Sequence, residues 1–237
     1  MRGKGFTFKQ FHISHERCAM KVGTDGTLLG AWATLPSQAK QILDIGTGSG
    51  LIAIMIAQRH PFAQITAIDI DNDCILQARE NIDACPWNSR IDLHHTSLQD
   101  FHPEKKFDII ISNPPYFVDS LLSPDDKRST ARHTSTLSFE ELTDGVVRLL
   151  APKGKFSLIL PPAESRLFLS AARGKLYLTR QTELWSTPQS GVRRILMELQ
   201  ASPPEILPNT ERLYIEDEEK NFSEEYRALT KDFYLKF

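Results

Sequence analysis

"QILDIGTGSGLIAIMIAQRH", residues 41–60, places a glycine-rich turn between two apolar segments. The first segment predicts a buried strand over 41–46, and the second predicts a helix over 50–60. The turn between them carries three glycines, Gly46, Gly48 and Gly50. Glycines permit a tight turn and let a ligand approach the backbone closely. Their G-x-G-x-G spacing puts Leu51 where the dinucleotide fingerprint needs its third glycine, which argues against a nicotinamide or flavin cofactor.

The alternation of short apolar runs with helical periods continues along the chain. Further strands are predicted over 63–70, 90–98, 107–112 and 154–161, and helices over 71–85 and 138–150. Apolar strands separated by helices indicate a parallel sheet that is covered on both faces. Beyond residue 161 the pattern predicts a helix and then two strands, over 176–186 and 192–200. The short turn that joins these two strands predicts an antiparallel hairpin at the sheet edge.

An acidic residue ends the second predicted strand. Asp69, in the run "AIDID" at residues 67–71, lies 19 residues after Gly50. At that position a carboxylate points into the crevice at the carboxyl end of the strand, where it can accept hydrogen bonds from two ribose hydroxyls. Asp71 also fits the cap of the helix that follows.

The glycine turn and Asp69 together resemble class I S-adenosylmethionine-dependent methyltransferases over roughly residues 20–200. The resemblance implies a Rossmann-like α/β fold. Its sheet would have seven strands, mostly parallel, with an antiparallel edge hairpin and helices on both faces. The matching cofactor residues are Asp44, Gly46, Gly48, Gly50 and Asp69. The family's third strand usually ends in an acid near the adenine ring. In this sequence that place reads "TSLQD", so either Ser97 or Asp100 is the candidate.

A second motif, "FDIIISNPPYF" at residues 107–117, ends the fourth predicted strand. In the implied fold this strand neighbours the first one, so Asn113 lies beside the cofactor at the switch point of the sheet. N-P-P-Y resembles the motif of methyltransferases that act on planar nitrogens, whose lone pair is delocalised. The Asn113 side-chain oxygen and the Pro114 carbonyl can accept the two N–H groups of such an amine. Pro115 helps to fix the backbone, and Tyr116 offers a face on which a target base can stack.

The segment "FKQFHISHERCAMKVGTDGTLLGAWA", residues 8–33, resembles the one that precedes the core in bacterial enzymes methylating N6 of adenine 37 in valine tRNA. In that family "KVGTDG" lies near the methionine end of the cofactor. The resemblance therefore implies tRNA as the substrate and S-adenosylmethionine as the cofactor. The cofactor contacts it implies are Lys21, Thr24, Asp44, Gly46, Gly48, Gly50, Asp69, Ile70, Ser97, Leu98 and Asn113.

Other activities share parts of this pattern. Glutamine methyltransferases acting on release factors carry N-P-P-Y but resemble proteins with a helical domain ahead of the core, and about 40 residues leave no room for one. DNA adenine methyltransferases usually carry an inserted target-reading domain, which is not seen in this sequence. Ribosomal-RNA guanine N2-methyltransferases share the motif and stay open as an alternative. A cofactor-binding RNA chaperone without turnover has no use for an intact N-P-P-Y.

Charge is unevenly distributed over the 237 residues. The net charge is −2, yet residues 1–21 hold five basic residues against Glu16 alone. We expect this basic arm and the loop after Tyr116 to contact RNA phosphates. The candidate RNA contacts are Lys4, Lys9, Arg17, Lys127, Arg128 and Arg132.

Cysteine content and hydropathy set further expectations. The three cysteines, Cys18, Cys74 and Cys85, have no metal-binding spacing and are typical of reduced thiols in a cytoplasmic protein. No stretch reaches the roughly 18 apolar residues of a membrane span. We expect one domain over 1–237, monomeric and free of metal. It would comprise a basic arm with the first helix at 1–40, a catalytic core at 41–200 and an extension at 201–237.

Overall fold

The computed structural model describes residues 5–115 and 137–237. The strands are β1 Gly5–Thr7, β2 His12–Ser14, β3 Gln41–Ile45, β4 Gln64–Asp69, β5 Ile91–His95, β6 Phe107–Ser112, β7 Leu150–Leu160, β8 Tyr177–Trp185, β9 Val192–Gln200 and β10 Asn209–Tyr214. The α-helices are α1 Thr24–Trp32, α2 Leu51–Arg59, α3 Asn72–Asp83, α4 Phe139–Leu149, α5 Pro162–Ala171 and α6 Glu224–Thr230, and a 3₁₀ helix at Asn88–Arg90 precedes β5.

The main sheet has the strand order β10-β8-β9-β7-β6-β3-β4-β5. β9 is antiparallel to both of its neighbours, and every other pair in this sheet is parallel. The predicted α/β fold with an edge hairpin is therefore confirmed. The predicted count of seven strands was wrong by one, because β10 pairs in parallel with β8 and extends the sheet. A sequence pattern predicts that a strand exists but not which distant strand it pairs with.

Residues 5–14 form a small hairpin that packs onto the core. β1 and β2 pair antiparallel, and the turn between them buries Phe8 and Phe11. These two rings stack on each other at 4.6 Å and belong to the same apolar cluster as α2 and Phe233. Burial of apolar rings thus folds this segment onto the core.

Two apolar cores cover the two faces of the main sheet. One lies under α1, α2, α3 and the β1–β2 hairpin, and the other lies under α4 and α5. A capping box starts α4, since Ser138 and Glu141 exchange side-chain and backbone hydrogen bonds. Asp71 caps α3 as predicted, with its carboxylate accepting from the N–H groups of Asp73 and Cys74.

The sheet topology brings three strand ends together. β3 lies between β6 and β4, so the chain leaves the carboxyl end of β3 at the point where the strand order reverses. In open α/β sheets this crevice is the usual ligand site. Among the helices that the structure describes, none is long and apolar enough to cross a bilayer.

Candidate cofactor and substrate site

The glycine turn between β3 and α2 requires glycine for its backbone conformation. Gly46, Gly48 and Gly50 have φ angles of 69°, 56° and 82°, which L side chains rarely adopt. A Cβ atom built on Gly46 or Gly48 would meet nothing within 4 Å. The open space beside these two residues lies in a cavity, so the turn presents bare backbone to whatever occupies it.

Asp44 stabilises the glycine turn through hydrogen bonds made inside the core. Its Oδ2 accepts a hydrogen bond of 2.6 Å from the Thr47 hydroxyl and one of 3.2 Å from the backbone N–H of Ala53, in the first turn of α2. Its Oδ1 is buried without a hydrogen-bond partner. Burial raises the pKa of Asp44 to about 7, against the opposing effect of these two donors. The side chain is 1% exposed and supports the turn from inside the core, although it was predicted to contact the cofactor.

Asp69 joins the glycine turn to the end of β4. Its two carboxylate oxygens accept from the backbone N–H groups of Gly48, at 2.8 Å, and Asp71, at 2.9 Å. Each oxygen retains a second lone pair with which it can accept another hydrogen bond. Burial raises the pKa of Asp69, and the two backbone donors oppose that shift. The next residue, Ile70, is 57% exposed.

Asn113 follows β6 directly and faces the glycine turn across the sheet. Ser112 pairs with Ile45, the last residue of β3, and donates its hydroxyl to the Ile45 carbonyl at 3.0 Å. The Asn113 Oδ1 atom is buried and has no hydrogen-bond partner among the residues that the structure describes. Pro114 is buried and Pro115 is exposed. A buried amide oxygen without a donor is uncommon in proteins and indicates a position meant for a ligand donor.

The glycine turn and Asn113 border one cavity of about 370 Å³, a volume within the range of small-molecule sites. Asp69 and Ile70 do not line this cavity, and Asp69 is joined to it through its hydrogen bond from Gly48. The wall includes five of the residues predicted to contact the cofactor, Lys21, Thr24, Gly46, Gly48 and Asn113. Thr47, Ser49, Leu51 and Ile52 complete the side formed by the turn and α2. The structure therefore unites the glycine motif, the N-P-P motif and the "KVGTDG" segment, which lie far apart in sequence.

An ion pair in the cavity wall escaped the sequence analysis. Arg194, on β9, donates from Nε to the Asp25 carboxylate at 2.7 Å, and both residues line the cavity. Asp25 is in the first turn of α1. The "KVGTDG" segment pointed to the neighbourhood of Asp25. Arg194, by contrast, lies in an ordinary strand pattern that carries no signal of a site.

The two candidate adenine contacts, Ser97 and Asp100, lie side by side in the structure. The Ser97 hydroxyl donates to the Asp100 carboxylate at 2.7 Å, and Ser97 Oγ accepts from the Asp100 N–H, so the two alternatives form one polar pair. Leu98 is 4% exposed and belongs to the core under α4. A cofactor contact from Leu98 would therefore use its backbone. The choice between Ser97 and Asp100 stays a prediction.

Most of the predicted RNA contacts fall outside the described residues, namely Lys4, Tyr116, Lys127, Arg128 and Arg132. Lys9 lies in the β1–β2 turn, where its ammonium donates to the backbone carbonyls of Lys231 and Phe237. Lys9 thus connects the β1–β2 turn to the C-terminal segment. Arg17 is exposed and pairs with Glu80 at 3.2 Å.

The cavity meets the requirements of the cofactor that the resemblance implies. S-adenosylmethionine combines a ribose, an adenine and a zwitterionic methionine tail. The site offers a carboxylate with spare lone pairs at Asp69, an exposed apolar side chain at Ile70 and bare backbone at Gly46 and Gly48. In the part of the chain that the structure describes, no group of three or more His, Cys, Asp or Glu residues could hold a metal ion.

A second cavity, of about 430 Å³, lies beside β4 and β5 and is lined by residues including Thr66, His94 and Phe101. Its lining residues Gln41 and Phe107 are the first residues of β3 and β6. The cavity is therefore at the amino ends of these strands, away from the glycine turn.

Comparisons with known proteins agree with this geometry. The family model described as methyltransferase small domain matches residues 23–159. A protein of Parabacteroides distasonis named tRNA1(Val) (adenine(37)-N6)-methyltransferase is 47% identical over 234 residues, which cover 98% of each chain. A protein of Phocaeicola vulgatus with the same name is 49% identical over 231 residues, 97% of each chain.

Solved structures show the same fold at low sequence identity. A predicted O-methyltransferase from Agrobacterium tumefaciens superposes with a TM-score of 0.71 at 18% identity, covering 88% of this chain and 96% of that one. The family-model match and the similarity to the two relatives are sequence comparisons. Both extend across the glycine turn and the N-P-P motif. The chain therefore belongs to the methyltransferase small domain family, together with the bacterial proteins named tRNA1(Val) (adenine(37)-N6)-methyltransferase.

Proposed function

We propose that this chain methylates the N6 amine of adenine 37 in valine tRNA with S-adenosylmethionine as the cofactor. The observation that carries the reaction is the buried, unpartnered amide oxygen of Asn113 in the wall of the cavity. The choice of adenine 37 rests on the names of relatives that are 47% and 49% identical over almost the whole chain.

S-adenosylmethionine supplies an electrophilic methyl group on a sulfonium sulfur. The residues that would hold it are the glycine turn, Asp69, Ile70 and the first turn of α1. Asp69 accepts the ribose hydroxyls with the lone pairs that Gly48 and Asp71 leave free, and Ile70 packs against the adenine ring. Ser97 or Asp100 accepts from the adenine amino group.

Asn113 and Pro114 orient the amine that is methylated. The N6 nitrogen of adenine is a poor nucleophile because its lone pair is delocalised into the ring. Two acceptors, the Asn113 Oδ1 and the Pro114 carbonyl oxygen, take its two N–H groups and stabilise the positive charge that develops on nitrogen. The prolines hold the Pro114 carbonyl in place, because each ring fixes φ. Tyr116 follows directly and stacks on the target base.

Basic side chains bind the phosphates of the RNA backbone. We assign this role to Arg17, which is exposed, and to Lys4, Lys127, Arg128 and Arg132. Lys9 is a weaker candidate, because its ammonium already binds two backbone carbonyls. Phosphate contacts of this kind make tRNA affinity depend on salt concentration, while affinity for the cofactor stays nearly constant.

The test is to incubate the protein with methyl-labelled S-adenosylmethionine and bulk tRNA, followed by nucleoside analysis. We expect label in N6-methyladenosine. A transcript of valine tRNA with guanine in place of adenine 37 should then lose the label, and the unmodified transcript is its matched control. Label in N2-methylguanosine would support a guanine methyltransferase, and label in protein alone would support a glutamine methyltransferase.

A further inference from the structure

One wall of the cofactor cavity is a segment that lies outside the parallel core. Residues 14–23, which we call the strap, run from the end of β2 to the start of α1, and Met20, Lys21, Val22 and Gly23 line the cavity. The glycine turn forms the facing side, where Ser49 also lines the cavity. The width of the cavity therefore depends on how the strap is held relative to the glycine turn.

Asn81, on α3, connects the two walls. Its side chain is 4% exposed. Its Oδ1 accepts from the Ser14 N–H at 2.9 Å, and its Nδ2 donates to the Ser14 and Ser49 carbonyls, each at 2.8 Å. Both amide hydrogens are used, and they bind one residue of the strap and one of the glycine turn.

The same face of α3 holds the rest of the strap. Gln77, one turn before Asn81, accepts from the Arg17 N–H at 3.3 Å and donates to Glu80, which also binds the Arg17 guanidinium. One further turn towards the N-terminus, Cys74 interacts electrostatically with the buried Cys18. Positions 74, 77 and 81 follow helical spacing, so they form one continuous polar seam on α3.

The strap is also braced internally. The Lys21 ammonium donates to the carbonyls of His15, at 2.8 Å, and Cys18, at 3.1 Å. The Val22 N–H donates to the His15 ring at 3.1 Å. Because these bonds stay within the strap, they fix its shape but not its position over the core. Its position is set by the seam on α3 and by Val22, which packs against the apolar core.

We propose that Asn81 is a positioning residue for cofactor binding, which holds the strap and the glycine turn at the spacing that the cofactor requires. It acts through Ser14 and Ser49 and does not line the cavity itself. This inference rests on the proposed use of S-adenosylmethionine, and it names a residue that neither the glycine motif nor the N-P-P motif contains.

The test is Asn81→Leu, which keeps the volume of the side chain and removes all three hydrogen bonds. S-adenosylmethionine binding is measured by calorimetry without RNA, and methyl transfer by single turnover at saturating cofactor. We expect Kd to rise about 10-fold or more, because the Ser49 and Ser14 groups lose their partners, while the single-turnover rate at saturation stays within about threefold. A purely structural role would not separate affinity from rate in this way.

Leu142→Ala serves as the matched control, because Leu142 is buried in the core under α4, on the opposite face of the sheet. It should lower the melting temperature and leave Kd within about twofold. Gln77→Leu, which loosens the strap without touching Ser49, should raise Kd by a smaller factor and can replace Asn81→Leu if that variant does not fold. Wild-type Kd in both strap variants, or an equal loss in Leu142→Ala, would overturn the inference. Failure of the wild-type protein to bind S-adenosylmethionine would refute the proposed function itself.

Discussion

Asn113→Ala should separate activity from stability more sharply than any other substitution in the site. The Asn113 Oδ1 is buried without a hydrogen-bond partner. A buried, unpaired polar atom costs about 1–3 kcal/mol relative to a satisfied one. Asn113 also borders the cavity, so its truncation removes little packing. We therefore expect the free energy of unfolding of the free protein to stay constant or to rise by about 1 kcal/mol.

Methyl transfer by the same variant should fall steeply. Loss of one preorganised group that stabilises developing charge lowers the rate about 10²–10³-fold, which corresponds to about 2.7–4 kcal/mol. Affinity for S-adenosylmethionine should change little, because the glycine turn and Asp69 remain intact. Urea denaturation measures stability, calorimetry measures cofactor affinity, and single-turnover methylation of valine tRNA measures the chemical step.

The matched control is Asn88→Ala, at an exposed asparagine whose amide donates only a long hydrogen bond of 3.4 Å to Asp83. Its stability, cofactor affinity and rate should all equal those of the wild type. The role given to Asn113 is refuted if Asn113→Ala loses more than about 1 kcal/mol of stability while its single-turnover rate stays within tenfold of the wild type.

Three other substitutions test the remaining parts of the site. Asp69→Ala should weaken cofactor binding by roughly 1.5–3 kcal/mol for each charge-assisted hydrogen bond that is lost. Most of the methylation rate should remain at saturating cofactor. An unchanged cofactor affinity would mean that another residue contacts the ribose. Asp44→Asn should flatten the pH dependence of stability. The folded pKa of Asp44, about 7, lies above the usual 3.8. In the wild type, the contribution of Asp44 to the free energy of unfolding is therefore fully present below pH 3.8. This contribution, roughly 4 kcal/mol, is lost as the pH rises to about 7. Urea titrations of both proteins across this range would show it, and parallel curves would contradict the assignment. Tyr116→Phe should lower the single-turnover methylation rate slightly and Tyr116→Ala strongly, because stacking contributes about 1–3 kcal/mol per base. A large loss of rate in the Tyr116→Phe variant would instead indicate a role for the hydroxyl.

Local signals in the sequence were sufficient to predict the glycine turn and two helix caps. The glycine turn was predictable because left-handed φ angles at Gly46, Gly48 and Gly50 exclude other side chains. The caps at Asp71 and Ser138 were predictable because a cap uses the backbone of its own helix. These features depend on neighbours within a few residues, and a single sequence contains those neighbours.

Contacts between distant segments were not predictable in this way. Lys9 belongs to a basic stretch, yet its ammonium binds carbonyls more than 200 residues away. Arg194 lies in a regular strand and reaches the cavity only because β9 packs near the start of α1. Charge alone does not reveal which partner a long side chain finds, so neither the bonds of Lys9 to the C-terminal segment nor the position of Arg194 could be predicted.

The sequence by itself determined the α/β class, the glycine turn at the end of β3 and the N-P-P exit of β6, because each follows from local backbone conformation and apolar periodicity. Only the tertiary structure decided that β10 joins the main sheet, that Asp44 supports the turn from within the core, and that Asn81 connects the strap to Ser49. Their physical cause is packing between elements far apart in the chain. Such packing satisfies buried polar groups wherever folding brings them together, and it leaves no periodic trace in the sequence.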